Sequence, residues 1–208
     1  MQARRAQDVL DYWFGPDPLA PDQVASRIRL WFGGDDPEIR DLRDEDMARR
    51  FTPLAQQAAA GELDAWAASP HRLLALILLL DQIPRNIHRG TSRAFQQDEK
   101  ALNLALGGMS TGADAGLTPI QRVFLYLPLQ HSESPDIQDE SVTAFRALVA
   151  AAEPEHRAVF EGCLNFALLH QRIVKRFGRF PHRNRVLGRR STDAELKFLA
   201  EEAETFGQ

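Results

Sequence analysis

The longest uninterrupted apolar stretch of the chain is Leu73–Leu80, eight residues without a polar position. Such a run fits either a buried strand or a buried helix by periodicity alone. Only Ile77 among the eight is β-branched, and Ser69-Pro70 stands just upstream. Both features favour a helix. A helix apolar on every side has no face to offer water, so it is expected at the centre, with other helices around it.

Elsewhere apolar residues recur every three or four positions, and the breaks carry helix-start signals. Asp36-Pro37, Ser69-Pro70, Thr118-Pro119 and Ser134-Pro135 each read as an N-cap followed by proline at the first helical position. Glu153-Pro154 gives the same proline signal with a poorer cap, and Thr192 with Glu195 fits a capping box. Helices are therefore expected near 4–14, 22–32, 37–60, 70–83, 92–107, 119–127, 135–151, 155–177 and 192–205. Pro53 should kink or divide the third, Gly61 should end it, and Pro84 should end the apolar helix or bend it sharply. No sustained alternation bounded by hairpin turns occurs, so the fold class is all-α. Tyr12-Trp13-Phe14-Gly15 and Leu30-Trp31-Phe32-Gly33 both read as helix ends with aromatic anchors and a glycine cap.

Composition adds limits. At 208 residues and 44% hydrophobic the chain suits one domain with a substantial core, taken as 1–208. A net charge of −4 calls for neither nucleic acid nor an anionic membrane as partner. The apolar octet is far short of the ~20 residues that span a bilayer. One cysteine, Cys163, excludes an intrachain disulfide. No signal-peptide pattern opens the chain, and the expected location is cytoplasmic. Charge is uneven, however: eight Lys or Arg and no Asp or Glu lie between Gly162 and Thr192.

Unusual polar chemistry falls in three segments. In Asp81–Gly90, a carboxylate beside the apolar octet needs a partner, and arginine is the obvious one. Arg85, Asn86 and Arg89 read either as a buried network that pins the turn or as an anion-binding turn. In the corner His131–Glu133, which follows an apolar helix end and Pro128, His131 and Glu133 are a candidate base and its carboxylate, or a hydrogen-bonded cap. In 170–184, His170 falls with Phe160, Cys163, Ala167 and Val174 on one helical face, as a core histidine or a ligand contact. Arg179, His182, Arg183 and Asn184 then line a loop anchored by Phe177 and Phe180, and the arginine fork suits a carboxylate or phosphate. Pro84-Arg85-Asn86 and Pro181-His182-Arg183-Asn184 both place Arg-Asn shortly after proline, which suggests two turns facing one pocket.

His131, Glu133, His170 and His182 have donor atoms for a metal, but no metal-site spacing, and the neighbouring arginines oppose a cation. Neither a metal nor a cofactor is expected. Glycine-rich nucleotide loops and the G-x-S-x-G elbow are absent from the sequence.

Four segments, VLDYWFG at 9–15, LLLDQIPRNIHRG at 78–90, FLYLPLQHSE at 124–133 and FGRFPHRNRVLGR at 177–189, with STDAELKFL following, carry a resemblance across essentially the whole chain. The chain resembles the bacterial domain of unknown function 924. That resemblance implies stacked antiparallel helix pairs of tetratricopeptide-like type and supplies no activity, substrate or cofactor. Two functions stand open. One is binding or transformation of a small anionic compound by Arg85, Arg89, Arg179 and Arg183, with Asn86 and Asn184 orienting it and His131, Glu133 and His182 moving protons. The other is a helical scaffold for a protein or peptide partner.

Overall fold

The computed structural model describes residues 2–15, 27–28, 30–31 and 36–201. These form helices, short 3-10 turns and connecting segments, with no strand among the described residues. The α-helices are α1 (Gln2–Phe14), α2 (Pro37–Ala59), α3 (Pro70–Leu80), α4 (Gln82–Ile87), α5 (Asp98–Ser110), α6 (Pro119–Gln130), α7 (Pro135–Ala150), α8 (Arg157–Phe177) and α9 (Asp193–Glu201). Single 3-10 turns occupy Asp64–Ala68, Ser92–Phe95, Ala113–Gly116 and Pro181–Arg183.

Every residue of Leu73–Leu80 is buried, and α3 packs against α1, α2, α4, α5, α6 and the 64–68 turn. At roughly 1.5–3 kcal/mol for each fully buried large aliphatic side chain, this helix anchors the rest. Gly108 lets α5 approach it, because a Cβ there would lie 2.6 Å from Leu73 Cδ2. On the other side Phe124 of α6 collects the rings of Trp13, Phe14 and Trp31 edge-on, at centroid distances of 5.6, 5.3 and 5.1 Å. Gly15, at φ 82°, ends α1 as the aromatic-glycine pattern predicts. Trp31 is buried and donates its indole N–H to the Trp13 carbonyl at 3.0 Å, while Phe32-Gly33 lies outside the described residues.

The cap signals hold where the side chain closes the bond. Asp36 accepts the Glu38 N–H, and Thr118 with Gln121 and Thr192 with Glu195 bond reciprocally as capping boxes. Three expectations need correction. Pro53 does not divide α2, whose packed residues Met47, Phe51, Leu54 and Ala58 carry it through. Pro84 does not end a helix. The break falls at Asp81, and Pro84 sits in the first turn of α4, where its missing N–H had no intrahelical partner to lose. Pro154 precedes a turn, and α8 starts at Arg157.

Successive helices α6, α7 and α8 pack on one another. A second small core of Ile173, Val174, Phe180 and Phe198 fastens the 178–191 loop and α9 to the end of α8. Two chain breaks, at Asp81 and after Gln130, and this fastened loop converge at the polar site.

Candidate functional site

Asp81 caps α3 and is fully buried. A carboxylate there requires donors, and it has them. His131 Nδ1 lies 2.7 Å from Oδ1, Arg85 Nη1 lies 3.1 Å from the same oxygen, and Gln82 donates to Oδ2 at 2.6 Å. Burial opposes the charge, but Arg85 and the hydrogen bonds from His131 and Gln82 outweigh it and hold Asp81 well below the usual carboxylate range. An ionised carboxylate only accepts, so His131 is the donor through Nδ1–H. Burial, and then the charge of Arg85, push the His131 pKa down although Asp81 pulls the other way. The imidazole is therefore neutral, with its lone pair on Nε2.

Asp98, at the start of α5, is the second hub. It takes Arg85 in a fork, Nη1 to Oδ1 at 2.8 Å and Nη2 to Oδ2 at 2.9 Å. Arg183 reaches the same Oδ2 at 3.2 Å, and its Nη1 also donates to the His131 carbonyl at 3.1 Å. The Arg183 guanidinium is stacked between Phe95 and Phe180, 4.6 and 4.5 Å from their centroids. It is 6% exposed, and its Nε is buried without an acceptor. Burial and the like charge of Arg85 lower its pKa to about 10, so it remains charged at neutral pH.

Glu133 serves a different partner from the one its spacing suggests. It accepts Arg189 through both oxygens, at 2.6 and 3.0 Å, and the Phe180 N–H at 2.8 Å. Burial resists its charge, but these bonds hold its pKa below the ordinary value. The carboxylate of His131 is Asp81, 50 residues away, rather than Glu133, two away. Glu133 instead clasps the 180–189 loop.

The remaining histidines line the same region. His170 is buried, donates its Nδ1–H to the Phe166 carbonyl at 2.7 Å, and lies 6.4 Å from the His131 ring and 5.4 Å from Phe180. His182 lies 5.5 Å from Phe180. Burial lowers both pKa values to about 3, with the charge of Arg183 adding to the effect.

The three segments thus meet, through Arg85, His131, His170, His182 and Arg183. Four predicted residues are engaged elsewhere. Arg89 pairs with Asp44 of α2 and with Asn86, whose amide donates to the Gln82 carbonyl. Arg179 forks onto Glu195, and Asn184 donates to Ser191. Asp98 and Arg189 escaped the sequence reading. Asp98 sits in an ordinary first helical turn, and Arg189 is one arginine in a run of them. A separate cavity of about 290 Å³ opens between Gln7, Asp11, Phe14, His71 and Gln121, away from these arginines. Among the described residues no group of three or more His, Cys, Asp or Glu is placed to hold a metal. No described helix is long and apolar enough to cross a membrane.

No curated protein matches the chain. A solved structure described as a protein of unknown function, ATU0120 from Agrobacterium tumefaciens, is similar over 98% of this chain and 100% of that one, at 33% identity and a TM-score of 0.80. Residues 9–203 match the family described as bacterial protein of unknown function (DUF924), and the chain belongs to that family.

Proposed function

We propose that this protein binds a small anionic compound, bearing a carboxylate or phosphate, against Arg183. The observation that carries this reading is the Arg183 Nε, a cationic donor buried without an acceptor while the stronger fork on Asp98 belongs to Arg85. Leaving a buried charged donor unmet costs about 1–3 kcal/mol, which an incoming oxygen would recover. Arg85 acts less as a clamp than as the partner that fixes Asp81 and Asp98. Arg89 and Arg179 are held by Asp44 and Glu195. The anion-binding role is therefore proposed for Arg183, with His131 and His182 as the nearby imidazoles, while Asn184 is held by Ser191.

The test is thermal unfolding with inorganic phosphate, sulfate and acetate, on wild type, Arg183→Lys and Arg183→Ala. The lysine variant keeps the charge and loses the planar fork. Saturable stabilisation of wild type that is lost in the lysine variant is expected. An equal response in all three proteins contradicts the reading.

A second reading is a tetratricopeptide-like scaffold for a protein or peptide. It is supported by the sequential packing of α6, α7 and α8 and by Phe166 on α8, an aromatic 41% exposed. Under this reading free anions leave stability unchanged.

A further inference from the structure

We infer that His131, fixed by the buried carboxylate of Asp81, is a general base that takes a proton from a hydroxyl or acidic C–H group of the compound bound at Arg183. This rests on the anion-binding reading and adds a chemical step to it. Three observations carry it.

The first is tautomer control. Asp81 is fully buried and accepts from Nδ1 at 2.7 Å, so the proton sits on Nδ1 and the basic lone pair on Nε2. The second is access. Asp81 has no exposed surface, whereas the His131 side chain keeps 13% of its own. With Nδ1 committed, Nε2 is the nitrogen a ligand meets. The third is the setting. Arg85 touches the same Asp81 oxygen at 3.1 Å, which keeps the carboxylate charged and the imidazole neutral, in the form that accepts a proton. Arg183 is bonded to the His131 carbonyl at 3.1 Å, so the proposed anion contact and the base belong to one rigid corner.

The step is balanced within these groups. The proton passes to Nε2, and its bonding pair stays on the donor oxygen or carbon. The new negative charge forms near the Arg183 cation. The imidazolium is stabilised by Asp81, which remains ionised throughout, as in any carboxylate-oriented histidine base. Asp81 is a positioning residue, because it acts through His131.

The experiment is acylation by diethyl pyrocarbonate, read at each histidine by peptide mass spectrometry from pH 8 to pH 5.5, with N-acetylhistidine in the same tube as reference. The reference, an unperturbed imidazole, should slow about tenfold by pH 5.5 as it protonates. His131, its pKa held below the ordinary value by burial, is expected to slow less than the reference as pH falls and to be protected by inorganic phosphate. Asp81→Asn keeps an acceptor for Nδ1–H but removes the charge, so His131 should react more slowly on the plateau. No acylation of His131 while exposed His71 is modified means that Nε2 is closed to ligands, and it overturns the inference without any variant having to fold. An unchanged plateau in folded Asp81→Asn overturns the role of Asp81. A reactive His131 that phosphate does not protect, in a protein that phosphate does not stabilise, leaves the base intact and removes the anion-binding reading.

Discussion

Arg85 and Asp98 face each other through two nearly equal hydrogen bonds, of 2.8 and 2.9 Å, in a place where Arg85 is almost wholly withdrawn from water. Arg183 leans on the same carboxylate. Removing Asp98 takes the shared carboxylate from two buried cations, leaving Arg85 to Asp81 and Arg183 to the His131 carbonyl. Asp98→Ala should therefore destabilise the protein by about 3–5 kcal/mol, and Asp98→Asn by less, since it retains an acceptor. Urea unfolding of the two variants measures this.

Acid should weaken the fold before its carboxylates titrate. His170 and His182 have folded pKa values near 3, against about 6.5 for an unfolded histidine. The unfolded chain then binds more protons as pH falls. Their contribution is complete above about pH 6.5 and is lost below it, at up to about 1.4 kcal/mol per pH unit for each histidine. His131 acts in the same direction. Between about pH 6.5 and 5 carboxylates contribute little, so denaturant midpoints across that window isolate the histidines. His170→Gln should flatten the slope.

Two adjacent glycines in α5 should respond oppositely to alanine. Gly107 is exposed and has nothing within 4 Å of a Cβ, so Gly107→Ala should stabilise by about 0.5–1 kcal/mol through helix propensity. Gly108→Ala places its Cβ 2.6 Å from Leu73 Cδ2 on the fully packed α3. Overpacking of that kind should cost about 1–3 kcal/mol. A pair of thermal melts distinguishes the two.

Glu133 should act locally. Its bonds to Arg189 and to the Phe180 N–H hold the loop that presents Arg183. Glu133→Gln should speed amide exchange through 178–191 and α9 much more than in α3. The expected loss is about 1.5–3 kcal/mol for that segment, the range for hydrogen bonds to charged groups.

Local physics is legible in the sequence. Thr118 with Gln121, and Thr192 with Glu195, announce their helices because both partners lie within one turn. The octet 73–80 declares its burial by having no polar face. Pro84 misled because its effect depends on where the next helix starts, which a break at Asp81 decides. At the site, residue types were legible and partners were not. Asp81 was expected to need an arginine and has Arg85 four residues on. Spacing points His131 to the nearest carboxylate, Glu133, whereas its partner Asp81 is brought in by the packing of α3 against α6. Asp98 meets Arg183 across 85 residues of sequence, a pairing no spacing rule signals.

Anion binding at this corner turns on one hydrogen atom, the Nε–H of Arg183. Its nitrogen-15 and proton resonances, assigned by loss in Arg183→Lys, should be followed during a titration with inorganic phosphate. A saturable downfield proton shift at Arg183, larger than at exposed Arg185 and Arg190, is the result predicted for a buried donor that gains an acceptor. A shift no greater than at those two arginines would contradict it.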